Sequence, residues 1–317
     1  MTENYKKAQK LINNAYHIVI ASHINPDGDT IGSMLGLGIA LKKAGKKITY
    51  FNKEKNLPKK FDFLPSYKKI KSSFPKEYDL FICVDAASFE RVGIDTVLKV
   101  PTISFDHHKT NIKFADINII DHTKVSTSLV VLEFLEFFKY DITKNCAVSL
   151  YTALVEDSGF FKFDRVKEET FQKASYLVKL GADPANISNM LTNRNSLAKI
   201  RLLQKYLDAL TLKNNATVCL SKITLEDFEQ TGATISDSDS FVNTGLSLAT
   251  VKLSIFMYEV DKEFIKFSLR SKDDITDCSK IAIKYGGGGH RRAAGFTAKI
   301  KDTNDIISSI LQEEPLK

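Results

Sequence analysis

The runs IVIA (Ile18–Ala21) and LFICV (Leu80–Val84) contain no polar residue to alternate with an apolar one. A strand with one wet face alternates, so runs like these need cover on both faces, which is the environment of a parallel sheet wrapped by helices. They belong to four β-rich stretches, HIVIAS (His17–Ser22), KITYF (Lys47–Phe51), YDLFICVD (Tyr78–Asp85) and VPTISFD (Val100–Asp106). Between the first two, Thr30–Ala44 reads as a helix ended at Gly45. From Ser126 the pattern turns helical through STSLVVLEFLEFFKY, TKNCAVSLYTALVEDSG and KEETFQKASYLVKLGA, and GADP stops one helix and opens the next. Residues 186–212 read as a polar helical connector. Beyond them ATVCLSKI, VKLSIFMYEV, FIKFSLRS and AAGFTAKI are strand-like, with a glycine-rich turn before the last and a final helix near Asn304–Gln312. The expected fold is α/β: a parallel-sheet domain at 1–185, a helical linker at 186–212 and a smaller α/β domain at 213–317.

A chain of 317 residues, 43% of them hydrophobic, has the material for two cores. The N-terminal MTENYKKAQKLINNAYHIVI lacks the unbroken apolar stretch of a signal peptide or membrane span, so the expected compartment is the cytoplasm, with no membrane partner. Cys83, Cys146, Cys219 and Cys278 are far apart and form no CxxC pair, which argues for reduced packing residues rather than a zinc knuckle or disulfides. A net charge of +7 suits a polyanionic partner, but the lysines are spread along the chain as on any solvated surface. The densest basic stretch, Lys53–Lys76, holds three prolines and reads as a solvent-facing connection.

Three of the four β-stretches run into chemistry. The first leads into SHINPDGD (Ser22–Asp29), the third ends at Asp85, and the fourth ends in Asp106-His107-His108. In an open parallel sheet, ligands bind in the crevice beyond the carboxyl ends of the strands, so these groups would meet there. His23, Asp27 and Asp29 lie within seven residues, with Pro26 and Gly28 forcing a turn. An Asx-type turn with Asp29 capping the helix from Thr30 would explain SHINPDGD on its own, but not the agreement of three strand ends. With Asp85 and at least one of His107 and His108 added, there are more ligands than one ion uses. Two divalent ions sharing a carboxylate would use them, and mixed imidazole and carboxylate ligation suits Mn²⁺ or a similar first-row ion. In VEDSGFF, Glu156 and Asp157 are equivalent candidates, as is a solvated acidic pair.

HxxxDxD, a strand-end VD and DHH in this order closely resemble the DHH phosphoesterase superfamily. GGGGHRRAAGF (Gly286–Phe296) is similar to the glycine-rich signature of the DHHA1 domain that follows the catalytic domain in one branch. With the length, the whole chain resembles the NrnA-like group of bifunctional enzymes that degrade very short RNA and convert 3′-phosphoadenosine 5′-phosphate (pAp) to AMP. The resemblance implies a Mn²⁺-dependent phosphoesterase with two ions, Mg²⁺ or Co²⁺ being substitutes. It assigns His23 and Asp27 to one ion, Asp29, His107 and Asp157 to the other, and Asp85 as the bridge. The family's aspartate-Thr-Gly reads Asp157-Ser158-Gly159 here, a hydroxyl-for-hydroxyl departure.

Such a pair of ions would activate a hydroxide for in-line attack on phosphorus. His108 is then free to donate to a phosphoryl or leaving oxygen, and Asp106 to orient an imidazole from behind. Gly286–Gly289, including Gly287, Gly288 and Gly289, would bring backbone N–H groups to a phosphate, with His290 and Arg291 or Arg292 adding positive donors. Arg270 and Ser271 are a further anion-binding candidate at a strand end, matching a substrate-binding position of the family; a strand-end salt bridge is the structural alternative for Arg270. Arg91 is expected to hold its loop by an ion pair, His17 and His122 to be structural, and Ser126–Ser128 to be helix caps that could also receive phosphate. Expected partners are short RNA oligonucleotides, pAp or dinucleotides, and a homodimer is compatible with the sequence. A pocket between the two domains would favour short substrates over long ones. The alternatives are a cyclic or linear diadenylate phosphodiesterase and a manganese-dependent inorganic pyrophosphatase; a non-catalytic nucleotide-binding protein is the rival of another class.

Overall fold

The computed structural model describes residues 2–94, 98–238, 240–273 and 275–313. It divides into two compact units, 1–194 and 195–317. The first contains α1 (Thr2–Asn14), β1 (His17–Ala21), α2 (Gly28–Lys43), β2 (Lys47–Phe51), β3 (Ile70–Lys71), β4 (Leu80–Val84), β5 (Thr102–Asp106), β6 (Ile117–Ile120), α3 (Thr127–Phe137), α4 (Lys144–Asp157), α5 (Glu168–Lys179) and α6 (Pro184–Thr192).

Its strands form one six-stranded sheet in the order β3-β2-β1-β4-β5-β6, parallel throughout. The unalternating runs are buried on both faces as their composition requires. Ile18, Ile20, Leu80, Ile82 and Val84 join the core beneath α1 to α4, while Val19, Ala21, Phe81 and Cys83 face the opposite cluster around Phe51 and Val92. Because β1 lies between β2 and β4, the chain leaves β1 in one direction and returns on its other side. The carboxyl ends of β1 and β4 therefore flank the topological switch point, where an open α/β sheet has its crevice.

Helices α2 and α4 make the closest helix pair. A Cβ built on Gly32 would stand 2.5 Å from the Ser149 carbonyl oxygen and 2.7 Å from the Ala153 Cβ, and one on Gly36 would meet the Leu150 side chain at 2.5 Å. Glycine every fourth residue lets α4 lie almost on the α2 backbone. Its last residue, Asp157, is thereby delivered beside the first turn of α2.

The second unit holds α7 (Leu197–Asp208), β7 (Thr211–Lys213), β8 (Val218–Ile223), α8 (Leu225–Thr231), α9 (Phe241–Leu246), β9 (Leu253–Glu259), β10 (Phe264–Ser271), α10 (Cys278–Lys284), β11 (Gly288–His290), β12 (Ala293–Lys299) and α11 (Thr303–Leu311). Its mixed six-stranded sheet runs β11-β12-β10-β9-β8-β7, with β8 and β9 parallel and the other pairs antiparallel. Leu253, Ile255 and Met257 of β9 face α10 and α11, and Phe256 faces the cluster of Tyr206, Phe228 and Phe241. The stretch expected as a linker divides between the units: Ile187 of α6 is in the first core, and Leu202 and Tyr206 of α7 are in a core of the second. All four cysteines are free and buried. Among the described residues, no helix is long and apolar enough to cross a membrane.

Candidate metal centre and active site

The chain leaves β1 through Ser22 and His23, and Asn52 fixes this exit by donating to Ser22 Oγ and the His23 carbonyl, both at 2.8 Å. The His23 ring has Nδ1 2.8 Å from the Ile24 carbonyl oxygen. That acceptor places the proton on Nδ1 and leaves the Nε2 lone pair facing Asp85 Oδ2 at 3.5 Å and Asp27 Oδ1 at 3.9 Å. Asp27 is the N-cap of α2, accepting from the Thr30 amide at 3.0 Å. The capping role thus falls to Asp27 and not to Asp29, because the helix begins at Gly28, two residues earlier than the sequence suggests.

Asp29, inside the first turn, is buried and points to the N-terminus of α3. It accepts from the Thr127 amide at 2.6 Å and the Ser128 amide at 3.1 Å. Those amides therefore serve a carboxylate of the protein itself and are not open to a phosphate. Asp85 follows β4 with a φ of 59°, a left-handed backbone that aspartate tolerates better than most residues. Its Oδ1 accepts from Thr127 Oγ1 at 2.8 Å.

Beyond β5, Asp106 is fully buried and accepts from the His107 amide at 2.8 Å, the His108 amide at 3.2 Å, the His108 ring Nδ1 at 2.7 Å and Asn111 Nδ2 at 2.6 Å. Burial alone would push this carboxyl up, but the donors led by His108 outweigh it and hold it below the ordinary range. The same hydrogen bond raises the pKa of His108. His107 behaves oppositely, its pKa lowered by burial. Its Nδ1 lies 3.3 Å from the Lys124 carbonyl oxygen, and its Nε2 lies 3.4 Å from Asp157, 3.7 Å from Asp85 and 3.8 Å from Asp29. The Lys124 side chain is itself pinned by Glu133 and Glu169.

Among the described residues three donor groups emerge, the atoms of each within 4.8 Å of one another: His23, Asp27 and Asp85; Asp29, His107 and Asp157; and Asp85, His107 and His108. Asp157 Oδ2 is buried with no hydrogen-bond partner. Burial, then the charges of Asp85 and Asp27, push its carboxyl up to about 8, and burial with the neighbouring aspartates raises Asp29 well above its ordinary value. Four carboxylates facing one another around an unpartnered oxygen, with imidazole lone pairs interleaved and no thiolate among the donors, fit divalent cations. Glu156, the equal of Asp157 in the sequence, turns away to accept from the Gly28 amide and Lys60.

Other candidates separate cleanly. His17 hydrogen-bonds Thr49 Oγ1 at 2.8 Å and is structural, and His122 stands exposed. Arg91 has no ion pair among the described residues, contrary to expectation; its Nη2 stands 3.5 Å from His23 Nδ1. Arg165, which sequence reasoning passed over, has Nη1 3.3 Å from His107 Nδ1. The available signal was the interleaving of aromatic and basic residues in FFKFDR (Phe160–Arg165), which starts three residues after Asp157.

In the second unit, Arg270 is half-buried at the end of β10. Its Nη1 donates only to the Leu269 carbonyl at 3.0 Å, so the salt-bridge alternative finds no partner among the described residues. Ser271 donates to the Asp273 carbonyl at 3.0 Å. The glycine run is partly packing: Gly286 ends α10 with a φ of 75°, while a Cβ on Gly287 or Gly289 would strike β12 at 2.3 Å and 2.5 Å. Gly288 has open space, and Gly288, Gly289 and His290 form an exposed edge strand. Arg291 is exposed, with Nε 3.8 Å from Asp277.

Residues 17–154 match the DHH family, N-terminal domain, and residues 215–313 match the DHHA1 domain. The bifunctional oligoribonuclease and PAP phosphatase NrnA of Thermus thermophilus is 29% identical over 297 residues, covering 93% of this chain and 88% of that protein. The Bacillus subtilis protein of the same name is 27% identical over 301 residues, with 93% of each chain covered. Among solved structures, an exopolyphosphatase-related protein from Bacteroides fragilis superposes with a TM-score of 0.91 at 28% identity, covering 98% of this chain and 96% of that one. With both domains matched in order and the strand-end aspartates and histidines gathered at one crevice, the chain belongs to the DHH/DHHA1 family of phosphoesterases.

Proposed function

We propose that this enzyme hydrolyses short oligoribonucleotides to mononucleotides and pAp to AMP, with two Mn²⁺ ions as its cofactor. The observation that carries the proposal is the pair of donor groups, His23-Asp27-Asp85 and Asp29-His107-Asp157, with Asp85 Oδ1 of the first 3.7 Å from His107 Nε2 of the second. The relatives named as oligoribonuclease and PAP phosphatase, aligned over nearly their full length, support the substrate class. Bound there, divalent ions would supply Lewis-acid neutralisation of phosphoryl charge and a nucleophile at neutral pH.

The protein's own groups do the rest. Asp85 is held by Thr127 and by its turn, and it presents both oxygens to the two donor groups. The Ile24 and Lys124 carbonyls fix the tautomers of His23 and His107, keeping each Nε2 as an acceptor toward the crevice. His108 donates a hydrogen bond from its Nδ1–H to the Asp106 carboxylate, so Nε2 is its remaining donor, and the raised pKa favours the imidazolium that can protonate a leaving oxygen. Arg270, Ser271, Gly287, Gly288, Gly289, His290 and Arg291 bind the substrate's phosphates.

The test is Asp85→Ala. It should abolish Mn²⁺-dependent release of AMP from pAp and of mononucleotides from a ribotrimer, a loss of at least about 10³-fold, while circular dichroism shows the fold retained. Undiminished turnover in that variant, or a wild-type enzyme that accepts only pyrophosphate among pAp, short RNA, long RNA and pyrophosphate, would overturn the proposal.

A further inference from the structure

The segment Ser158–Lys167, SGFFKFDRVK, follows Asp157 directly and is unusual for what it exposes. Phe163 is 56% exposed although it is a large apolar ring beside a polar crevice. It is not a stray side chain. The amide of Phe163 donates to the Ser158 carbonyl at 3.2 Å, and its ring lies so close over Gly159 that a Cβ there would touch it at 2.6 Å. Gly159 itself has a φ of 58°. One face of the ring is thus seated on backbone two residues from Asp157, and the other is presented to solvent. In the same segment Phe161 stacks on Phe171 of α5, centroids 5.3 Å apart at 24°, and Phe171 is 54% exposed.

Cations are interleaved with these rings. Lys162 and Arg165 are exposed, and Arg165 has no ion pair among the described residues. Its guanidinium stands beside His107 Nδ1, a position already facing the Lys124 carbonyl, so His107 offers it no acceptor. Exposed rings backed by structure and alternating with unpaired cations are what a single nucleic-acid strand needs: a π-face for a base and positive charge for the phosphate next to it.

We infer that Phe163 stacks a nucleobase of the substrate and that Arg165 takes the phosphate adjoining it, so that the strip Ser158–Lys167 selects single-stranded oligonucleotides over phosphate esters that carry no base. The inference deepens the proposed hydrolase reading and rests on it. Phe163 and Arg165 act in binding and positioning, with no bond made or broken by either.

The test compares KM for a 5′-phosphorylated ribotrimer with KM for an abasic trimer of the same backbone length. The wild-type enzyme prefers the ribotrimer. Phe163→Ala should shrink that preference by roughly 5- to 150-fold, the range that loss of one aromatic ring costs a stacked base. Phe163→Tyr should keep it, which separates stacking from damage to the turn over Gly159. Arg165→Gln should raise KM for both trimers together, and Arg165→Lys should recover part of the loss. An unchanged preference in Phe163→Ala, or an equal loss on both trimers, overturns the inference while leaving the hydrolase reading in place. Failure of the wild-type enzyme to cleave any ribotrimer overturns that reading, and the inference falls with it.

Discussion

Adjacent histidines on one turn have opposite electrostatic surroundings, and the roles proposed for them divide accordingly. His107 is buried, with its pKa lowered and its Nε2 among three carboxylates, whereas His108 is 40% exposed in its side chain and raised by Asp106. His107→Ala should weaken Mn²⁺ binding at least about tenfold by calorimetry. His108→Ala should keep the ions and lower kcat by roughly 10²- to 10³-fold. The carboxylates set a pH dependence of their own. Asp29 and Asp157 have folded-state pKa values raised above those of an unfolded chain. Their stabilising contribution is present below about pH 4 and is lost as pH rises through the folded values, near 8 for Asp157. Thermal melts of the chelated protein should therefore show stability from this cluster falling between about pH 4 and 8, and the gain on adding Mn²⁺ should grow over the same interval as the ions replace protons. A gain that is flat with pH would show that these carboxyls do not titrate on binding.

The elements that carry the ligands were legible because their signals are local. The apolar runs of β1 and β4 admit few environments, and the polar residues that end them are contiguous in sequence. Asp157 was not legible without the family resemblance, because its place depends on how α4 packs. The glycines at positions 28, 32 and 36 were visible as residues, but the α4 atoms that lie against them were not, so nothing local separated Asp157 from Glu156. β6 and α9 lack strong periodicity or side-chain caps and are specified by the cores they complete, whereas the apolar stripe of α1, the Thr224–Asp227 capping box of α8 and the Asp277 cap of α10 were signals in the sequence that went unread. The packing makes a graded prediction. Gly32→Ala drives a methyl into the Ser149 carbonyl, which cannot rotate away, and should cost about 1–3 kcal/mol in urea melts and weaken Mn²⁺ binding. Gly36→Ala meets only the Leu150 side chain, which can change rotamer, and should cost less on both counts.

Across the whole molecule, the donor groups lie in the first unit and the proposed phosphate grip in the second. Arg270→Gln should therefore raise KM for pAp and a ribotrimer about tenfold while leaving Mn²⁺ affinity at its wild-type value, the cost of one hydrogen bond to a charged group. Weakened Mn²⁺ binding in that variant would argue for a structural role. The two matched domains were readable from motif order, but the boundary was not: a polar helical stretch looks like a tether until Tyr206 and Leu202 find partners in Phe241 and Phe256. Every side chain of the two carboxylate-imidazole sets comes from before residue 158, inside a unit that closes its own core by residue 194. During synthesis at roughly 5–20 residues per second, that unit can finish folding on the ribosome while residues 195–317 are still being added. The groups that would hold cations can thus be assembled several seconds before the second unit's proposed phosphate contacts exist, on an enzyme still leaving the ribosome.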